Sequence, residues 1–364
     1  MVTALLQKAL RRSLDQVRHV SPVRPDGPGG FAARAGGGSD TVAQVYRQAE
    51  RDFGMLAPPL ALHSPAAGPL AASWMMLRES LLADGTASRA SKEAVAAAVS
   101  LGNSCPYCIT VHAATLSGLV GSPTGAAVSA DAIDSIPDPA IRAIAHWARR
   151  SVNRPDSHAS DVPFSREQAP EIAGVAVTFH YLNRMVDIFL ADSPLPPNVP
   201  APARGSALRL LGRFMSNAAR ADHQPGASLE LLPAAPLPED LHWAAGNPYI
   251  GQAFARASAA IEVAGQQYVP GSVQAALHTR LAGWDGQPPG LSRAWVQDEV
   301  SSLPPEDRAA GRLVLLTALA AYQVDQQVID AFRYHQPGDE ALVAATSWAS
   351  MAAARRIGCW LPLG

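Results

Sequence analysis

Apolar residues recur at spacings of three and four along the whole chain, and no series of β-branched, period-two runs interrupts them. One segment invites the opposite reading, because Val175, Val177, Phe179 and Tyr181 alternate in GVAVTFHYL. That apolar stretch is long for a strand and continues into NRMVDIF, so a helix is expected over residues 170–190. The fold class is therefore all-α.

Turn and cap residues divide the pattern. Helices are expected over residues 41–53, 69–83, 88–101 and 138–152, the last opened by an Asp138 cap with Pro139 behind it. A further helix should start at a Ser104 cap and run to about Leu116. The stretch SPLPPNVPAPAR, starting at Ser193, is the best boundary in the chain. It gives four parts: an N-terminal helix and linker (1–40), a helical unit with a CxxC pair (41–192), a Pro-rich linker (193–206) and a second helical half (207–364). Helices in that half are expected around residues 207–221, 249–264, 272–281, 292–300, 306–321, 325–334 and 340–357. The halves echo each other weakly. Superposing Ser104 on Asp325 sets Gln326, Ile329 and Arg333 opposite Cys105, Cys108 and His112, and Val314 opposite Glu93.

Composition narrows the partners. A net charge of −2, with lysine only at Lys8 and Lys92, offers no basic stripe for nucleic acid. No apolar run approaches the ~20 residues of a membrane span. The first 20 residues form an amphipathic pattern without a signal peptide's apolar core, and packing on the protein's own body is expected of it. Three cysteines build no disulfide framework; a spaced pair in a reducing, cytoplasmic setting fits catalysis or metal binding. Cys359 has no evident role.

The chemistry concentrates in KEAVAAAVSLGNSCPYCITVH. With Ser104 as cap, Cys105, Cys108 and His112 share one helix face, and Pro106 sits where no intrahelical bond is lost. First-turn amides and the helix dipole favour thiolate. The imidazole can accept the thiol proton, and Glu93, across a short turn, can orient the imidazole. Ile109 after the second cysteine excludes haem attachment, and a thioredoxin-type site would need βαβ surroundings. Structural zinc would lack a fourth ligand unless Glu93 supplied it. A buried pair of core cysteines would leave the helix-start position unexplained.

Glu93, eleven residues, Cys105-x-x-Cys108, three residues and His112 together resemble the signature of the alkylhydroperoxidase AhpD-like branch of the carboxymuconolactone decarboxylase family. The resemblance covers roughly residues 74–190 and extends to the second half as a degenerate copy. It implies an AhpD-like helical bundle of two tandem related halves, working without cofactor or metal. It also implies Cys108 as the peroxide-attacking thiolate, Cys105 as the resolving thiol, and His112 with Glu93 as the proton relay. A hydroperoxide would be the substrate, an external dithiol (a lipoyl-bearing or thioredoxin-like protein) the reductant, and a homo-oligomer the assembly. Tyr107 stands where some relatives carry a histidine, which puts one link of their relay in doubt. The family's decarboxylases lack this CxxC.

His180, Asn183 and Arg184 share a helix face and are expected either to line the redox pocket or to bridge helices. Trp74 reads as core, and Arg78 and Glu79 as surface charges. Two other classes stay open: a redox-responsive interaction module or dithiol–disulfide oxidoreductase without peroxidase turnover, and an inactive helical scaffold.

Overall fold

In the computed structural model, which describes residues 12–24, 37–155, 162–195 and 199–364, every regular element among the described residues is helical. With single turns and 3-10 segments unnumbered, the first half contains α1 (Gly37–Asp52), α2 (Ala67–Leu77), α3 (Arg89–Gly102), α4 (Pro106–Val120), α5 (Ser122–Ser129), α6 (Pro139–Arg150) and α7 (Ala169–Phe189). The second contains α8 (Ala201–Ala218), α9 (Pro248–Tyr268), α10 (Gly271–Ala282), α11 (Ala294–Ser301), α12 (Arg308–Ala320), α13 (Gln326–His335) and α14 (Asp339–Gly358). Of the expected N-terminal helix, the described part is a 3-10 turn, Arg12–Gln16; residues 1–11 and linker residues 25–36 lie outside the described residues.

Two of the helix starts that differ from expectation fall at prolines. The helix α8 starts inside the Pro-rich stretch, with Pro200 as its cap and Pro202 in its first turn. Proline costs nothing there, because first-turn amides have no intrahelical acceptor. The start of α4 shifts likewise. Cys105 (φ −97°, ψ 94°), not Ser104, is the cap, and Pro106 opens the helix. Pro106 forces Cys105 out of the helical region, and Ser104 takes the left-handed conformation, with φ 56°.

All residues of α7 except Asp187 are buried. It packs against α3 and α14, with the segment Glu239–Gly246 alongside, as an all-round apolar helix must. The helices α2 and α9 pack together, as do α4 and α8, so both halves share one apolar core running from Leu14 to Leu361. The α4–α8 contact is close because both sides are small. A Cβ on Gly212 would lie 2.5 Å from the Ala114 carbonyl oxygen, and one on Gly118 2.5 Å from Ser216 Oγ. In the second half, α12, a 3-10 turn (Ala321–Gln323) and α13 repeat the helix–turn–helix of α3 and α4, with Asp325 as α13's cap. Matching that cap to Cys105 shifts the pairing by one: Asp325, Val328, Phe332 and Leu313 stand opposite Cys105, Cys108, His112 and Glu93.

Arg78 and Glu79 are not surface charges. Both are buried in a π-helical turn, Arg78–Leu82, that continues α2. Arg78 donates to Asp52 and Glu79, each at 2.7 Å, and Glu79 accepts from the amides of Gly226 and Ser228. A second buried pair sets the start of α3. Lys92 Nζ lies 2.8 Å from Glu171 Oε2 and donates to the Ala83 carbonyl, while Glu171 accepts from the amides of Thr86 and Ala87. Glu171→Ala strands the Lys92 charge and two amides. We expect it to cost ~3–5 kcal/mol in urea unfolding, far more than an exposed-pair deletion. A loss below ~1 kcal/mol would mean that water reaches the pair.

Candidate active site

The cap shift decides where each sulfur sits. Cys105 is the residue at which α4 begins, and Cys108 lies inside its first turn. Both are buried free thiols, close enough for each to act on the other's ionisation. Burial, first, and then the Cys108 sulfur and the Asp187 carboxyl push the Cys105 thiol well up; the Cys108 amide pulls the other way without overcoming them. Cys105 is thus held in its protonated form.

Glu93, on the buried face of α3, is shared between two cations or their equivalents. Its Oε1 accepts from Arg89 Nε at 3.0 Å and from Arg89 Nη2 at 2.8 Å, and its Oε2 lies 2.7 Å from His112 Nδ1. Burial raises the Glu93 pKa, but Arg89 and His112 outweigh it and hold the carboxyl below its ordinary range. An ionised carboxylate can only accept, so the proton of this hydrogen bond belongs to His112 Nδ1. That leaves Nε2 as the basic nitrogen. The ring is held edge-on to Phe179, with centroids 4.6 Å apart.

His112 and Cys108 both line a cavity of about 1110 Å3. Tyr107 and Val111 of α4 join them, with Phe179 and Leu182 of α7, and Leu211 and Met215 of α8 as the opposite wall. Cys105 is not on this wall; it faces α7 instead. Tyr107 is a cavity residue whose phenol is pushed up by burial and by the two cysteines, so it stays neutral. Among the described residues, no group of three or more His, Cys, Asp or Glu is placed to hold a metal ion.

The sequence model of the carboxymuconolactone decarboxylase family matches residues 68–149, the stretch that contains Glu93, Cys105, Cys108 and His112. An alkyl hydroperoxide reductase of Mycobacterium tuberculosis is 37% identical over 346 residues, covering 95% of each protein. This chain belongs to the carboxymuconolactone decarboxylase family. A solved structure from Ralstonia eutropha, described as an alkylhydroperoxidase AhpD core and an uncharacterized peroxidase-related protein, is also similar. It covers 54% of this chain and 97% of its own, with 21% identity and a TM-score of 0.41.

In this family member the three polar residues of α7 bridge helices and do not line the cavity. His180 is hydrogen-bonded to Asn103 through Nδ1 and to Ser151 through Nε2, and burial holds its pKa well down. Asn183 accepts from Asn103 and donates to Ser100, and Arg184 donates to the carbonyls of Ala318 and His180. These bonds brace the α3–α4 turn against α7. Cys359 is exposed near the end of α14, beside the Asp240 carbonyl and away from this site.

Sequence reasoning missed Asp187. It is the one residue of α7 not buried outright, and its carboxyl and the Cys105 thiol shift each other's ionisation. Burial raises its pKa to about 7, with Cys105 and Arg184 opposing. The signal was a lone acid inside the apolar run MVDIF, one turn beyond Asn183 and two beyond His180 on the same face.

Proposed function

We propose that this protein is a thiol-dependent peroxidase that reduces organic hydroperoxides through Cys108 and Cys105. The observation that carries the reading is the carboxylate–imidazole pair of Glu93 and His112 on the same apolar cavity as the Cys108 thiol. The 37% identity to an alkyl hydroperoxide reductase supports the same activity. Hydrogen peroxide needs little more room than a water, whose share of liquid volume is about 30 Å3. A cavity of about 1110 Å3 with apolar walls suits a larger, organic substrate.

The steps follow from the geometry. His112 Nε2 takes the Cys108 proton, and the thiolate attacks the terminal peroxide oxygen. The O–O bond breaks, and the alkoxide leaves as an alcohol with the imidazolium proton. Cys108 is then a sulfenic acid. Cys105 passes its proton to the Asp187 carboxylate and attacks the Cys108 sulfur. A disulfide forms, and hydroxide departs as water with a returned proton. An external dithiol, lipoyl-bearing or thioredoxin-like, restores both thiols, which suits the reducing cytoplasm. The second half is read as a degenerate copy whose task is architectural, since Asp325, Val328, Phe332 and Leu313 offer neither thiol nor imidazole.

The test is consumption of tert-butyl hydroperoxide with dihydrolipoamide as reductant. Sustained turnover is expected. One equivalent consumed and then arrest would make the protein a redox-responsive module instead. Asp187 adds a finer expectation. Disulfide closure should speed up as pH rises through about 7, where the carboxylate forms and can accept the Cys105 proton. Asp187→Asn should slow closure ~10²-fold and remove that inflection, while the first attack at Cys108 keeps its rate. Sulfenic-acid lifetime, measured by rapid trapping from pH 5.5 to 8.5 (a window of about 1.5 units either side of that pKa), reads this directly. An unchanged lifetime in the variant would remove Asp187 from the reaction.

A further inference from the structure

The cavity that holds Cys108 is apolar inside and cationic at its rim. Phe53, Leu60, Leu182 and Met215 line it, while Arg18 and Arg204 line it as exposed residues. Arg18 donates to the Leu190 carbonyl, and Arg204 Nε donates to the Val199 carbonyl at 3.3 Å. Among the described residues neither guanidinium is paired with a carboxylate, and the rim carboxylate of Asp15 is taken by Arg24. Each arginine is therefore tethered by a neutral carbonyl, with its charge and remaining N–H donors unanswered.

A guanidinium fork matches a carboxylate in shape and charge, and two of them over an apolar cavity select a molecule with one anionic end and a long apolar body. We propose that Arg18 and Arg204 bind the carboxylate of a long-chain fatty-acid hydroperoxide, whose hydrocarbon chain lies in the cavity and brings the hydroperoxide to Cys108. The proposal rests on the peroxidase reading for its chemistry, but the carboxylate site rests on the cavity lining and on two arginines that have no carboxylate partner among the described residues. It separates this substrate from small neutral hydroperoxides, which would leave both arginines unused.

The experiment measures binding and turnover separately. Oleate and methyl oleate are titrated calorimetrically into the wild type, Cys108→Ser, Arg204→Lys and the double variant Arg18→Gln/Arg204→Gln. The expected result is tighter binding of oleate than of its ester. Oleate affinity should fall about tenfold in the double variant, the size of two partly exposed ion pairs, with little change for the ester. Arg204→Lys should keep most of the preference, because charge survives without the fork. In turnover, linoleic acid hydroperoxide should have a higher kcat/KM than its methyl ester, with the ratio collapsing in the double variant. Equal binding of acid and ester, or a ratio unmoved by loss of both arginines, would overturn the proposal. Oleate preference intact in both the wild type and Cys108→Ser, with no hydroperoxide consumed by the wild type, would uphold the carboxylate site and count against the peroxidase reading.

Discussion

Peroxide consumption is expected to fall to background in Cys108→Ser, whereas Cys105→Ser should complete one round and stop with a sulfenic acid on Cys108. Sequence alone leaves a contest here: Cys105 would be nearer the helix start, Cys108 nearer His112. The cap shift removes much of it. Cys105 is the cap, and Cys108 sits within the first turn, where the dipole is worth ~0.3–1 kcal/mol at an exposed site. General-base catalysis is typically worth ~10²–10⁴-fold, and His112, one turn on and lining the same cavity, is the base expected to serve Cys108. Burial and Asp187 push Cys105 toward its protonated form, while only Cys108 lines the cavity. Dimedone trapping followed by mass spectrometry reads which sulfur is oxidised. A sulfenic acid on Cys105 in Cys108→Ser, formed at the wild-type rate, would reverse the roles.

The helical class is legible in the sequence because spacing of apolar residues is a local property, and α7 shows that it survives a misleading alternation. The Cys-x-x-Cys, His112 and Glu93 set is legible for the same reason: α3 and α4 are joined by a short turn, so their facing residues lie close in the chain. What hides is whatever depends on distant segments. Arg78 and Glu79 read as surface charges because Gly226, which Glu79 accepts from, lies 147 residues away. Asp187 hides because its partner, Cys105, lies on another helix of the first half. The two helix starts misplaced at prolines share another cause. Proline ends a helix and also begins one, and composition alone does not separate the two uses. The cavity itself is assembled from residues between Ser13 and Met215, so no local pattern announces it.

The largest effect short of losing a sulfur is expected at the Glu93–His112 pair. Glu93→Gln keeps the shape of the side chain but removes the charge that fixes the proton on Nδ1 and stabilises imidazolium. General-base catalysis is typically worth 10²–10⁴-fold, so kcat/KM for hydroperoxide should drop ~10²–10³-fold in Glu93→Gln and ~10³-fold in His112→Ala. If the two act as one unit, the double variant should be no slower than His112→Ala alone. Both single variants should also slow the alkylation of Cys108 by iodoacetamide. Stability supplies an independent readout. Because its pKa is held down in the folded state, Glu93 contributes stability that is fully present above the ordinary glutamate value of ~4.3 and lost as pH falls through the lowered value. Glu93→Gln should flatten that acid-side loss in urea titrations, whatever happens to catalysis. Multiplying effects in the double variant, with the acid-side flattening intact, would mean that Glu93 stabilises the fold without orienting His112.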